Sequence, residues 1–256
     1  IQKLDFLYAA ALPGRRYDGR RNRAEALRAG LDAIRRGAGA DAFLLGCGCP
    51  LGVAVGVVDA MRIGADVTPY WTNLLARTVL RNTHGLATRH AIINTLTRAG
   101  FDRLWWRNDP DCLMVRDRDT KLSEEEVRLL ATVFAMTDGM IVLSDRLSDL
   151  SPERCAIVRR ARELAGGEVE VVDLFERQLP ELVVSRHADR IDIGALNLGD
   201  RPRHARVDLT RLGIASSTAE LREHWTAAPV AQQGSLLDFG DLPPHSARVV
   251  SVRQKP

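Results

Sequence analysis

The feature that most constrains the fold is an alternation, between Lys3 and Gly166, of short apolar runs with segments of helical periodicity. This alternation is typical of β-α-β units and therefore of a parallel sheet. The last four predicted strands are short and continuous in apolar character, as expected when both faces of a strand are covered. The predicted strands are Lys3–Tyr8, Ala42–Cys47, Asp59–Ile63, Arg103–Trp106 and Met140–Leu143.

Helices are predicted between these strands, and three of them have N-terminal signals. Asn22 with Glu25, and Ser123 with Glu126, have the spacing of a capping box. Ser151 precedes a proline, the pattern of an N-cap followed by Pro at the first helical position. A further helix is predicted over Leu86–Thr97 from its apolar periodicity.

After Gly166-Gly167 the pattern changes to short β-rich segments separated by turn residues. This pattern predicts an antiparallel β-sandwich of about ninety residues, so we expect one domain over residues 1–164 and a second over residues 165–256. The predicted strands are Glu168–Leu174, Leu182–Arg186, Asp189–Leu198, Arg203–Leu209, Leu221–Trp225, Ser235–Phe239 and Ala247–Val252.

Composition excludes several classes of partner. The 36 basic and 33 acidic residues of this 256-residue chain leave a net charge of +3, and the arginines are spread along the chain, so no nucleic-acid partner is expected. The longest apolar runs are too short to cross a membrane.

The cysteine content bears on cellular location. Four cysteines are too few for a disulfide scaffold, so a cytoplasmic location is expected. The chain does not begin with Met, and an upstream signal peptide stays open.

Polar residues close several of the predicted strands, where parallel α/β proteins place reactive groups. Lys3 and Asp5 are two residues apart and share one face of the first strand, and a structural ion pair is the alternative interpretation. Cys47 and Cys49 lie in a glycine-rich turn that lets a ligand approach closely. A lone Cys-x-Cys without further ligands is weak evidence for zinc, so no metal is predicted.

Two further strand ends carry charged residues. Arg62 and Asp66 follow the third strand, and Asn108-Asp109-Pro110-Asp111 follows the fourth, where loop capping is the alternative. Two carboxylates on different strand ends, each with a basic neighbour, favour hydrolysis of a glycosidic bond. Lys3 favours the ionised form that an attacking Asp5 needs, whereas whether Asp66 can hold a proton beside Arg62 stays open.

Four ordered blocks resemble the α-galactosidases of glycoside hydrolase family 36. They are Lys3–Leu7, Leu45–Leu51, Val58–Asp66 and Asn108–Leu113, with a weaker echo at Pro244–Arg248. The resemblance covers residues 1 to about 164. It implies the late half of a (β/α)₈ barrel of the TIM type, strands 4 to 8, followed by the antiparallel β-sandwich.

The resemblance also implies an activity, the release of terminal α-linked galactose with retention of configuration. By the matching positions, Asp5 is the nucleophile and Asp66 the acid/base, and Lys3, Cys47 and Arg62 contact the sugar. It implies no cofactor and no metal. The expected partner is a small α-galactoside, and a homo-oligomer is an open expectation.

The sequence departs from the family pattern at Leu7, where many members carry Asn, and at Ala65, where Pro is common. The early barrel strands, which carry the family's galactose-reading aspartates, have no counterpart here, so we expect a fragment that is inactive alone. An α-N-acetylgalactosaminidase or transglycosylase relative and a non-catalytic carbohydrate-binding or decayed paralogue stay open. So does a thiol or metal protein built on Cys47 and Cys49.

Overall fold

The computed structural model describes residues 1–72, 85–214 and 221–253, and its first sheet is parallel. Its strands are β1 (Gln2–Leu4), β2 (Leu44–Gly46), β3 (Ala60–Arg62) and β4 (Arg107–Asp109), and their order in the sheet is their order in the chain. The carboxyl ends of neighbouring strands therefore meet at one edge. A separate parallel pair joins β5 (Cys112–Leu113) to β6 (Val142–Leu143).

Four α-helices lie in the described residues: α1 (Arg23–Ala38), α2 (Thr88–Thr97), α3 (Glu124–Met136) and α4 (Pro152–Glu163). Both predicted capping boxes are confirmed, because the Asn22 and Ser123 side chains accept from the third helical N–H and the glutamates bond back. Ser151 caps α4 as predicted. Within the part of the chain that the structure describes, we find no helix long and apolar enough to span a membrane.

The C-terminal part forms two antiparallel four-stranded sheets, so the chain is α/β with added antiparallel sheets. Their strands are β7 (Glu168–Val171), β8 (Leu182–Arg186), β9 (Arg190–Asn197), β10 (Arg203–Asp208), β11 (Leu221–Arg222), β12 (Pro229–Gln233), β13 (Leu236–Leu242) and β14 (Ser246–Arg253). One sheet has the order β14-β9-β8-β7 and the other β10-β13-β12-β11.

The largest hydrophobic core joins these sheets to the helices. Helix α3 is buried along nearly all of its length, and its Phe134 packs in the same cluster as Leu196 of β9 and Val249 of β14. The indole N–H of Trp225 donates to Thr132 Oγ1 at 2.9 Å. This core crosses the expected boundary after residue 164, and the division into two domains stays a prediction.

The predicted strand Arg103–Trp106 is wrong, because these residues form a turn and the strand begins at Arg107. Arg103 has a left-handed φ of 60°, and its N–H donates to the carbonyl of Trp106 at 2.7 Å. The apolar side chains that suggested a buried strand are partly exposed, since Trp105 is 40% and Leu104 71% accessible. The polar strand β4 is buried instead. Its Asn108 side chain can be buried because it has a nearby hydrogen-bond partner, the Trp106 indole N–H, which donates to Asn108 Oδ1 at 3.0 Å.

Candidate active site

Asp5 lies one residue beyond β1, where its carboxylate accepts several hydrogen bonds. Phe6 has a left-handed φ of 53°, and its N–H donates to Asp5 Oδ1 at 2.8 Å. The Cys47 thiol also donates to Asp5, and Lys3 Nζ lies 3.7 Å from Asp5 Oδ2. The Cys47 hydrogen bond, followed by the Phe6 N–H and the charges of Lys3 and Arg62, lowers the pKa of Asp5. The Asp5 carboxyl group is therefore held ionised.

Cys47 lies one residue beyond β2 and is buried next to Asp5. Burial and the hydrogen bond to Asp5 raise the pKa of the Cys47 thiol to about 11, and burial raises that of Cys49 to about 11. Both side chains are neutral thiols at physiological pH, so Cys47 acts as a hydrogen-bond donor. Among residues 1–72, 85–214 and 221–253, no group of three or more His, Cys, Asp or Glu side chains could hold a metal ion.

Arg62 ends β3 and binds three carboxylates with one guanidinium. Its NH1 lies 2.8 Å from Asp66 Oδ1, its Nε 3.1 Å from Asp109 Oδ2, and its NH2 2.6 Å from Asp111 Oδ1. Only 9% of the Arg62 side chain is accessible. Burial opposes its charge, but the charges of Asp109 and Asp111 outweigh burial and raise the pKa of Arg62. The arginine is a buried, fully charged centre of the site.

Asp66 lies on the loop of residues 64–72 that follows β3, and its side chain is exposed. The backbone beside it is fixed, because the N–H of Val67 donates to Asp111 Oδ2 at 2.7 Å. Further along, the Thr88 hydroxyl donates to the carbonyl of Thr68. Asp66 is thus restrained twice, through its carboxylate by Arg62 and through its neighbouring peptide by Asp111.

The sequence analysis left loop capping as the alternative role for the segment that contains Asp109 and Asp111. In the structure Asp109 caps a turn, and both aspartates also bind Arg62. Asp109 Oδ1 accepts the N–H of Asp111 at 2.9 Å, which is a capping turn, while its other oxygen holds Arg62. These buried aspartates contact the candidate site through Arg62, and the sequence analysis singled them out without assigning them to the site. The sequence carries no signal for this contact, because it depends on the register of the sheet, in which Arg62 pairs with Asp109.

The structure thus brings the five predicted site residues to the carboxyl edge of one sheet. Asp5 contacts both Lys3 and Cys47, and Arg62 holds Asp66. The Arg62 charge also favours the ionised forms of Asp5 and Cys47, although burial keeps the pKa of Cys47 raised. The two groups of residues therefore share one electrostatic environment. An ionised carboxylate and a second, accessible carboxylate at the same sheet edge are the kinds of group that two-carboxylate glycosidases use.

Comparisons with known proteins point in the same direction. No family model matches the chain. The α-galactosidase TtGalA of Thermus thermophilus, solved with p-nitrophenyl α-D-galactopyranoside, is similar over 71% of this chain at 35% identity and a TM-score of 0.54. The chain spans about a third of that enzyme's length, 34%.

Two more distant structures share the fold. The α-galactosidase of Saccharomyces cerevisiae, solved with raffinose, is 13% identical over 91% of this chain and 68% of its own, with a TM-score of 0.57. A family 27 β-L-arabinopyranosidase from Geobacillus stearothermophilus, solved with arabinose, is 15% identical over 99% of this chain and 58% of its own, with a TM-score of 0.66. The chain is therefore similar in structure to the α-galactosidases and shares the fold of these glycosidases.

Proposed function

We propose that the chain is the late-barrel part of a retaining α-galactosidase of family 36, which releases terminal α-linked galactose from small galactosides. The observation that carries the proposal is the position of Arg62, which binds Asp66 and whose charge helps to keep Asp5 ionised. The 35% identity to an α-galactosidase supports the choice of sugar.

In the proposed first step, the Asp5 carboxylate attacks the anomeric carbon from the face opposite the leaving group. A β-linked glycosyl-enzyme forms, and Asp66 donates its proton to the departing glycosidic oxygen. In the second step, Asp66 takes a proton from water, and that water attacks the anomeric carbon to release α-galactose. Asp5 is regenerated as the carboxylate, so two inversions give retention. This mechanism calls for carboxyl groups about 5–5.5 Å apart.

The shared guanidinium bears on how Asp66 can act as an acid. One guanidinium faces three carboxylates, so Asp66 shares the charge of Arg62 with two other anions. Asp109 and Asp111 are more deeply buried than Asp66 and bind the same guanidinium, so they compensate much of its charge. We propose that this compensation lets Asp66 exchange its proton in each half-reaction. In the same proposal, Lys3 and Cys47 contact the sugar.

The parallel sheet is proposed to be part of an eight-stranded barrel. Among the described residues, β1 pairs only with β2, and β4 pairs only with β3. Unpaired sheet edges expose N–H and C=O groups, and barrel closure removes such edges. The sequential strand order β1-β2-β3-β4 is the order that a (β/α)₈ barrel requires. We propose that β1 takes the place of the fourth barrel strand.

Azide rescue tests the two roles separately, on the full-length gene product with an aryl α-galactoside. In Asp5→Gly, azide fills the space of the nucleophile and attacks the substrate directly, so β-galactosyl azide is expected. In Asp66→Gly, Asp5 still forms the glycosyl-enzyme, and azide then displaces it to give α-galactosyl azide. We expect the Asp66 variant to lose about 10²–10⁴-fold in rate on substrates with poor leaving groups.

Asp119→Gly is the matched control, because Asp119 is exposed and has a left-handed φ of 52° that glycine adopts readily. This variant should keep the parent activity and form no azide product. The proposal is refuted if both site variants hydrolyse the substrate at the parent rate, or if the azide products have the opposite configurations. Binding of galactosides without turnover by the parent protein would favour the non-catalytic paralogue. A preference for N-acetylgalactosaminides would favour the related glycosidase.

A further inference from the structure

His245 lies in the turn between β13 and β14, and its ring contacts three separate parts of the chain. The imidazole stacks on the indole of Trp71, with ring centroids 4.3 Å apart and planes 23° from parallel. Its Nδ1 lies 2.8 Å from Glu126 Oε1, and its Nε2 lies 2.9 Å from Asp200 Oδ1. His245 itself has a left-handed φ of 53°, which a residue other than glycine rarely adopts.

Both ring nitrogens face carboxylate oxygens, and ionised carboxylates only accept hydrogen bonds. Satisfying both contacts therefore takes two N–H donors, which only the imidazolium form has. Burial lowers the pKa of His245, but the hydrogen bonds to Glu126 and Asp200 outweigh it and raise the pKa above its ordinary 6.5. A cation stacked on an indole face gains a further attraction.

The three contacts join the candidate active site to the C-terminal sheets. Trp71 and Asp66 belong to the same loop, residues 64–72. Glu126 lies in the first turn of α3. Asp200 lies in the turn between β9 and β10. Among the described residues, the charged groups that bond to His245 are Glu126 and Asp200, and the loop contributes the neutral indole. The neighbouring ion pair of Arg248 with Glu125, at 2.7 Å, bridges β14 and α3 without the loop.

We propose that protonated His245 is a positioning residue, which holds Trp71 and thereby the Asp66 loop against the C-terminal sheets. The consequence for catalysis rests on the function proposed above for Asp66, whereas the contact itself does not. Because the folded-state pKa is raised, the contribution of His245 is complete below pH 6.5 and is lost as the pH rises through the folded-state value. At alkaline pH the loop therefore loses this contact with the turn before β14 and opens more often.

His204 provides a matched control on the same β region. Its ring also lies between two carboxylates, 2.8 Å from Asp241 and 3.0 Å from Asp238, and the hydrogen bonds to Asp241 and Asp238 raise its pKa. Unlike His245, it is exposed and lies in a strand, β10, that is remote in sequence from the loop. A general effect of removing a charged histidine would appear equally in both variants.

The test is hydrogen exchange, measured by mass spectrometry on peptides covering residues 64–72 and corrected for the intrinsic effect of pH. At pH 6 we expect His245→Gln to exchange at least about tenfold faster than the parent in this segment, since a neutral amide cannot reproduce two N–H donors and a stacked cation. His204→Gln should match the parent. Raising the pH should bring the parent towards His245→Gln.

A second variant keeps the test decisive if His245→Gln does not fold. Glu126→Gln retains a capping residue at the third helical position but removes the negative partner of Nδ1. It should lower the pH at which the loop begins to exchange faster. Unchanged exchange at residues 64–72 in both variants would overturn the proposal, as would an equal effect of His204→Gln. Faster exchange of residues 64–72 in His245→Gln, in a full-length gene product that has no glycosidase activity, would refute the proposed function and leave the positioning role of His245 intact.

Discussion

Replacing Arg62 with glutamine should destabilise the protein strongly, because it removes the cation that three carboxylates share. Asp109 and Asp111 lie 3.1 Å and 2.6 Å from the guanidinium and have side chains only 3% and 12% accessible. Breaking a buried pair from one side leaves uncompensated buried charge and costs about 3–5 kcal/mol. Asp66 is 58% accessible and adds little, because water solvates it. The expected loss lowers the midpoint of urea unfolding by about 1–2 M.

The pH dependence of this loss separates the explanation from a simple packing defect. Burial raises the pKa of Asp111 even beside Arg62, and removing the guanidinium raises it further. A carboxyl group with a raised folded-state pKa binds protons more tightly in the folded state. The variant should therefore regain part of its deficit as the pH falls through that pKa.

Arg211→Gln is the control, because Arg211 pairs with Glu176 at 2.7 Å on the exposed surface. It should leave the unfolding midpoint almost unchanged. Adding Asp109→Asn and Asp111→Asn to the Arg62 variant should restore much of the lost stability, since neutral amides need no counter-ion. The reasoning is refuted if Arg62→Gln and Arg211→Gln lose equal stability, or if the deficit grows on acidification.

Four further outcomes follow from the site and the backbone. Cys47→Ala removes a hydrogen bond to Asp5, so it should raise the pKa of Asp5 towards its ordinary 3.8 and move the acid limb of the kcat/KM profile to higher pH. Cys47→Ser keeps a hydrogen-bond donor and should move this limb less. With pKa values of about 11, Cys47 and Cys49 should react with iodoacetamide at pH 8 about 100-fold more slowly than in urea, and equal rates would contradict those values. In thermal unfolding, Gly30→Ala should stabilise the exposed face of α1 by about 0.5–1 kcal/mol. Gly167→Ala should destabilise, because its Cβ would lie 2.1 Å from Ser185 Oγ.

Features with local causes were predictable from the sequence. The capping boxes at Asn22 and Ser123 depend on residues three positions apart, and both are present. Strand β8, over Leu182–Arg186, has the predicted bounds because its apolar run and its flanking turns coincide. In contrast, β12 was not predicted, because it begins with proline, ends with two glutamines and has an exposed or half-buried residue at every position.

Features that depend on strand register or on distant segments were not predictable. The sequence placed Arg62 beside Asp66, but its contacts with Asp109 and Asp111 arise because β3 and β4 pair with Arg62 opposite Asp109. His245 and Glu126 are separated by 119 positions, and no periodicity links them. The strand predicted at Arg103–Trp106 failed for a related reason, since tertiary contacts bury the polar Asn108 and leave Leu104 exposed.

The burial of α3 beneath β14 has a consequence for how the polypeptide is made. A ribosome completes α3 more than a hundred residues before it begins β14, whose Val249 covers the same cluster as Phe134. At cellular elongation speeds, the part of the helix that β14 covers waits roughly 5–20 s for that strand. A stop codon shortly before β14 would therefore leave this part of α3 uncovered and yield a product prone to degradation.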